Sequence, residues 1–344
     1  QLIIMKTVAS VSGLLTPFGA QFWGVVWAIV LMIGLAGGGY RIAELGAKVV
    51  VTVVVVAFIA SLLVVPIDGR AAAGGLLPTI PDGGAIAAAG ILGGAVHITI
   101  ITMQTYTVTA RGWTRDDADL ARFDIGVSML LAFGIFSIAT FLVAAGALFG
   151  AVDGSGLTAI AAAQALQPIA GPFAQRLFLI GLLGAAVSTL GGNTLVPPSV
   201  VADKLGWATA VSDIRYRALL AGTALVSGAG AFIPGGFLGQ LVLVLAVGTV
   251  GTPFALALVL VLLNDPETAG EAPSVALNLG GVIVFGVASV LAGNFVLGQL
   301  ERGLTLLSGG VLAFGAVLTV ATAVLIGSHL RTQLSDATTA AISE

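Results

Sequence analysis

Long apolar runs separated by short polar connectors fill this chain, and the runs have the length of membrane-crossing helices, about 20 residues. Nine stretches fit, near 18–36, 46–66, 86–110, 125–150, 174–200, 216–234, 237–263, 274–297 and 304–327. Residues 1–16 read as the tail of a helix entered midway, and the opening Gln1-Leu2-Ile3-Ile4 carries no initiator methionine. The expectation is a fragment lacking an N-terminal portion, with a trimmed or processed terminus as the alternative.

One run is polar at its centre. In 86–110 the sequence Gly93-Gly94-Ala95-Val96-His97 is followed by Thr99, Thr102, Gln104, Thr105, Tyr106 and Thr107. Hydrocarbon offers no water to such groups or to a loosened backbone, so they belong against protein or a wet cavity. The stretch predicts a discontinuous helix. His97, the only histidine within a predicted span, reads as a metal ligand or proton carrier, or as a structural histidine bonded to a neighbouring helix. The glycine pair favours the first reading, because glycine relaxes helical geometry and lets carbonyls turn toward a ligand. Ala95 and Val96 are the candidate carbonyl donors. Gln104, seven residues on, returns to the His97 face if the helix resumes, so Thr99, Thr102 and Gln104 would line one path. Taken singly, each reads first as interhelical glue.

A second polar cluster comprises Ser188, Thr189, Gly191, Gly192, Asn193 and Thr194, followed by Pro197 and Pro198. It predicts a loosened helix end that either lines the same cavity or kinks for packing. Gly248, Gly251 and Pro253 predict another kink.

Composition sharpens the picture. Only 8% of the 344 residues are charged, 58% are hydrophobic and the mean hydropathy is +1.12. Soluble domains carry about 25% charged residues, so a membrane protein is the remaining class. A net charge of −3 without a basic patch excludes nucleic acid as a partner. The absence of cysteine excludes disulfides, thiolate metal sites and cysteine nucleophiles. No Asp or Glu falls in the middle of a predicted span: Glu44 and Asp124 lie at helix ends, and Asp265 and Glu267 follow 237–263. Hard cations ordinarily require an oxygen anion, which would then come from the missing portion. With no HExxH motif or nucleophile elbow, an enzyme is not expected.

Charge also orients the chain. Arg41, Lys48, Arg111, Arg115, Arg122, Lys204, Arg215, Arg217 and Arg331 fall on one side of the predicted membrane, against Arg70, Arg176 and Arg302 on the other. Positive charge accumulates in the cytoplasm, placing the Arg41 loop and the C-terminus inside, in what reads as a prokaryotic plasma membrane. The outer connectors 66–84 and 150–172 read first as ordinary loops and second as gating elements. The Arg111–Asp124 loop reads as solvated and self-paired.

The order of these parts resembles the Nramp divalent-metal transporters. Leu92-Gly93-Gly94-Ala95-Val96-His97-Ile98-Thr99 matches the family's sixth helix, where a Gly-Ala break precedes Met-Pro-His. Gly39-Tyr40-Arg41 with Glu44, Ser188-Thr189, and Thr252-Pro253-Phe254-Ala255-Leu256 with Asn264-Asp265 support the match, which covers about residues 10–300. His97 then stands at the Met position, Ile98 at the proline and Thr99 at the motif histidine. Ala28 stands near an expected acidic residue, and Leu245 near an expected glutamine. The family's Asp-Pro-Gly-Asn motif would lie in the missing portion.

The resemblance implies an all-α polytopic bundle of the LeuT-like inverted-repeat kind with discontinuous helices, forming one transporter domain over 1–344. Residues 1–66 would be the rest of the first repeat, 86–263 the second, and 274–327 two additional helices. The implied activity is alternating-access transport of a divalent metal, Mn/Fe-type or Mg, with proton coupling open. The metal is cargo, so no cofactor is implied. Its site would be His97, Ala95, Val96 and Thr99, with Gly93, Gly94, Thr102, Gln104, Ser188 and Asn193 lining the path. The alternatives are a LeuT-fold transporter of an organic solute such as an amino acid, and a membrane scaffold or sensor that does not transport.

Overall fold

The computed structural model describes the backbone of residues 1–36, 40–77, 79, 84–149, 158–270, 273–301 and 306–343. Side chains are described over the same ranges except at 40–48, 50, 51, 98, 102, 107, 110, 132, 169, 266, 267, 306, 307 and 332–343. Every regular element among these residues is helical. The valine-rich run 49–56 would favour a strand in water. In hydrocarbon each backbone group needs a partner within its own segment, and a helix supplies it; the run accordingly lies inside α3 (Tyr40–Ser61).

The chain divides into two compact units. The first contains residues 1–79 and 105–241. Here α1 (Leu2–Leu15) and α2 (Ala20–Ala36) form a hairpin, in which the indole nitrogens of Trp23 and Trp27 donate to Thr16 Oγ1 (2.6 Å) and Ser12 Oγ (2.9 Å). Met5, Val8, Leu31, Leu190 and Ala224 make one core, and Phe58, Val143 and Leu166 belong to another. α4 (Gly69–Gly74), α7 (Ala118–Ile125), α8 (Gly134–Leu148), α9 (Ala174–Lys204) and α10 (Ile214–Ser227) complete its main helices. Lys6, on α1, is only 4% exposed. Its ammonium donates to the carbonyls of Pro234 (3.0 Å) and Gly235 (2.6 Å) and to Gln240 Oε1 (2.7 Å). Three acceptors match its three donors, the arrangement a buried lysine requires.

The second unit contains residues 80–104 and 242–344. It holds α5 (Ala85–Ala95), the start of α6 (Ile98–Ala110), most of α11 (Phe237–Thr249), α12 (Thr252–Leu263), α13 (Val275–Glu301) and α14 (Leu306–Ser343). Ala89, Ala246, Val250, Phe295 and Val311 form its core. Asn264, ending α12, and Asn278, in the first turn of α13, exchange two amide bonds of 2.9 and 2.8 Å.

Five helical stretches among the described residues are long and apolar enough to cross a membrane: Arg115–Leu148, Gly171–Lys204, Phe237–Leu263, Val275–Glu301 and Ser308–Arg331. The chain is an integral, multi-pass membrane protein. The expected span 86–110 instead splits into α5 and α6, and 18–36 yields the 17-residue α2. α14 runs on to Ser343, past the expected end at 327. The loop expected over 111–124 does pair with itself, Arg111 with Asp124 at 3.0 Å and Arg122 with Asp119 at 2.9 Å. Part of it is nonetheless helical, because Thr114 and Asp117 form a capping box ahead of α7. In the connectors expected on the outer side, Asp68 caps α4 and Thr158 caps a turn at Ala159–Ala162. Pro78, Pro81, Asp82 and Gly150, and the side chains of Arg41, Glu44 and Lys48, lie outside the described residues.

The expected loosening at Pro197 and Pro198 does not occur: α9 runs unbroken from Ala174 to Lys204 with both prolines inside it. Each proline lacks an N–H and so leaves the carbonyl four residues upstream without its helical donor. Below the gap, Thr194 Oγ1 donates to Leu190 O (2.6 Å) and Asn193 Nδ2 to Thr189 O (3.0 Å). Thr194 and Asn193 thus bond along their own helix, and Gln1 Nε2 reaches Thr194 Oγ1 and Leu190 O from outside it.

Candidate metal site at paired helix breaks

Helix α5 ends where Val96 turns to extended backbone, φ −138° and ψ 110°. Its N–H still reaches Leu92 O (2.7 Å), but α6 begins afresh: Ile100 and Ile101 both donate to His97 O, at 3.0 and 3.2 Å. The carbonyl of Val96 is therefore skipped by the helical ladder. Such an orphan at membrane depth requires another donor, and Thr252 Oγ1 supplies it at 2.9 Å.

Thr252 opens α12 immediately after the second interruption, at Val250 and Gly251 between α11 and α12. This is the kink expected from Gly248, Gly251 and Pro253; Pro253 sits in the first turn of α12, where its missing N–H costs nothing. The two interruptions face each other. A Cβ added to Gly248 would stand 3.6 Å from the Cβ of His97. Higher up, α5 and α11 approach almost backbone to backbone: a Cβ on Gly93 would fall 1.8 Å from Leu245 O and 2.5 Å from Thr249 Oγ1. One on Gly90 would fall 3.0 Å from Val242 O. Thr249 Oγ1 closes this seam by donating to Ala89 O at 2.5 Å. Gly93 thus serves close packing between two broken helices.

The imidazole of His97 is half-buried, and its Nδ1 is hydrogen-bonded to Thr99 Oγ1. That bond fixes the ring. In the tautomer whose Nδ1–H donates to the threonine, Nε2 carries the lone pair that a metal can use, the usual arrangement of a ligating histidine. Ala95 is half-buried and Gly94 exposed. Gln104 is exposed, and the Thr102 side chain lies outside the described residues. His97, Thr99, Val96, Ala95 and the two glycines thus come together. Ser188 and Asn193 belong to the other compact unit and are described there: Ser188 is half-buried and has a partner, and Asn193 bonds within α9.

Among the described residues no three His, Cys, Asp or Glu side chains gather as a metal cluster. What the site offers is neutral: one imidazole, backbone carbonyls and threonine hydroxyls. The roles of Thr249 and Thr252 were not evident from the sequence. The signal was present, since both flank Gly251 in Thr249-Val250-Gly251-Thr252, but nothing in one dimension says that a hydroxyl there reaches carbonyls some 156 residues away.

Comparison with known proteins agrees with this architecture. The family model for natural resistance-associated macrophage protein-like (Nramp) sequences matches residues 2–298. A divalent metal cation transporter MntH of Acidiphilium cryptum is 29% identical over 217 residues, 60% of this chain and 49% of the relative. The MntH of Deinococcus radiodurans is 28% identical over 54% of this chain and 45% of its own length, and that of Burkholderia ambifaria 30% over 50% and 41%. The chain spans about half the length of these relatives or a little less. With a match over residues 2–298, two helix breaks facing each other and only helices among the regular elements of the described residues, the chain belongs to the Nramp family of LeuT-like fold.

Proposed function

We propose that the whole protein carries a divalent metal cation across the membrane, and that the break at Val96 and His97 is where this chain holds it. One observation carries the reading: a histidine at a helix break is hydrogen-bonded through Nδ1, which leaves Nε2 for a ligand, and faces a second break. His97 is the side-chain ligand, Ala95 and Val96 are the carbonyl donors, and Thr99 orients the ring. Gly94 and Gln104, both exposed, extend the path. Three relatives named as divalent metal cation transporters support the cargo class.

Imidazole accepts Mn²⁺, Fe²⁺ or Zn²⁺, whereas Mg²⁺ favours oxygen ligands and water. A neutral donor set leaves either group open, and we favour the transition metals because the one side-chain ligand is nitrogen. In this reading residues 86–263 are the second repeat, 1–66 the remainder of the first and 274–327 an addition. Transport proceeds by alternating access in a prokaryotic plasma membrane, with the C-terminus cytoplasmic as the charge bias expects. An amino-acid-like solute is the second reading, favoured by the lack of an acidic cluster among the described residues.

The test is uptake of Mn²⁺ by the full-length protein in proteoliposomes. Wild type is expected to concentrate the ion, and His97→Ala to lose at least tenfold in uptake at sub-saturating metal. Equal uptake by the two would remove His97 from the mechanism. Uptake of amino acids in place of metal would establish the second reading.

A further inference from the structure

Threonines in this chain habitually bond back onto their own helix. Thr16 donates to Ser12 O, Thr140 to Phe136 O, Thr189 to Ala185 O, Thr194 to Leu190 O, Thr319 to Gly315 O and Thr322 to Leu318 O, each between 2.6 and 2.9 Å. This four-residue back-bond is the usual resting place of a hydroxyl in a helix. Thr252 departs from it. Its side chain is wholly buried, so it has no water to turn to, and it reaches across to the one carbonyl that the break at Val96 leaves out of the helical ladder. The carbonyl one turn before it, that of Gly248, belongs to α11; it accepts the Gly251 N–H at 3.2 Å and keeps a second lone pair.

We propose that Thr252 competes with the cargo cation for the Val96 carbonyl oxygen. This rests on the metal reading above and adds a regulation of that site. While no cation is held, the hydroxyl proton satisfies the carbonyl and ties α12 to the end of α5. A dication on the same oxygen repels the positive end of that O–H dipole. The hydroxyl then swings to its ordinary back-bond toward Gly248, and the tie between the two breaks is released. Cation binding is thereby linked to freedom of α12, with no charged residue and no net change in the number of hydrogen bonds made by the hydroxyl. Thr249 is the built-in control. Its partner, Ala89 O, lies within intact α5, seven residues before the extended Val96, so its bond joins the helices without competing for the site.

The competition predicts a sign that neither a ligand nor a packing role shares. Thr252→Val keeps the shape and removes the donor, so the carbonyl is free for the cation. The half-saturating Mn²⁺ concentration of the full-length protein in proteoliposomes should fall about fivefold, the factor set by one neutral hydrogen bond. Thr252→Ser should retain the wild-type value. Thr249→Val should lower thermal stability without lowering that concentration. Thr252→Ala gives the same readout should the valine variant fail to fold. An unchanged or raised half-saturation in both the valine and alanine variants, with wild type active and His97→Ala impaired, overturns this proposal alone. Absence of Mn²⁺ uptake by wild type overturns it together with the metal reading.

Discussion

At the residue scale, the site depends on the atom that is not expected to touch metal. Thr99 holds Nδ1 of His97, and a ring free to turn would offer Nε2 in many directions. Partners of this kind typically contribute 10- to 100-fold to metal affinity. Thr99→Val should therefore raise the half-saturating metal concentration by about that factor while leaving the melting temperature near wild type, because Thr99 is only half-buried. Equal affinity in the two proteins would show that the ring is positioned by other means. His97 was legible in the sequence because a histidine beside a glycine pair is conspicuous in an apolar run. Thr252 was not, since a threonine near a membrane kink is ordinary until its partner is seen.

At the element scale, the discontinuities are the informative parts of the fold. Glycine and proline marked both, yet similar marks at Gly191, Gly192, Pro197 and Pro198 led to no interruption. The difference is what surrounds the backbone. α9 keeps its helical path with side-chain bonds running along its own axis, whereas the carbonyls at the end of α5 meet hydroxyls from another helix. A sequence records the loss of a donor but not whether a neighbour stands ready to replace it. The seam between α5 and α11 tolerates no added atom at Gly93. Gly93→Ala would put a methyl group 1.8 Å from Leu245 O, where backbone must move. Overpacking of this kind costs about 1–3 kcal/mol. The variant should melt lower and show reduced uptake, whereas Gly94→Ala, whose Cβ would meet only the tip of Leu245 at 3.5 Å, should melt as wild type does. Comparing the thermal unfolding of the two purified proteins checks this.

At the scale of the whole molecule, hydropathy and charge alone gave the membrane class and a topology of spans. They could not say which spans are continuous, because a broken helix and an intact one have the same average apolarity. The charged connector 204–217 illustrates what remains outside the bilayer. Asp213 caps α10 and is held by Arg215 through its backbone N–H and guanidinium, which lowers the carboxyl to about 2. A carboxyl depressed below its ordinary value adds stability that is complete above about pH 4 and lost as pH falls toward 2. Asp213→Asn should flatten the melting temperature across that interval and leave the pH dependence of uptake between about 5 and 8 unchanged. The pair lies at the surface with the Arg215 side chain exposed, so the effect should shrink with added salt. A shift of the uptake profile near neutrality in this variant would show that the connector takes part in transport.

The reciprocal amides of Asn264 and Asn278 set a boundary condition on any movement of α12. Two antiparallel bonds between a pair of carboxamides form a two-point clasp, and sliding by even one ångström would break both at once. One end of α12 is thereby fastened to α13 while the other abuts a glycine. Were the Thr252 bond released as proposed, α12 would pivot about this clasp, twelve residues away, rather than slide.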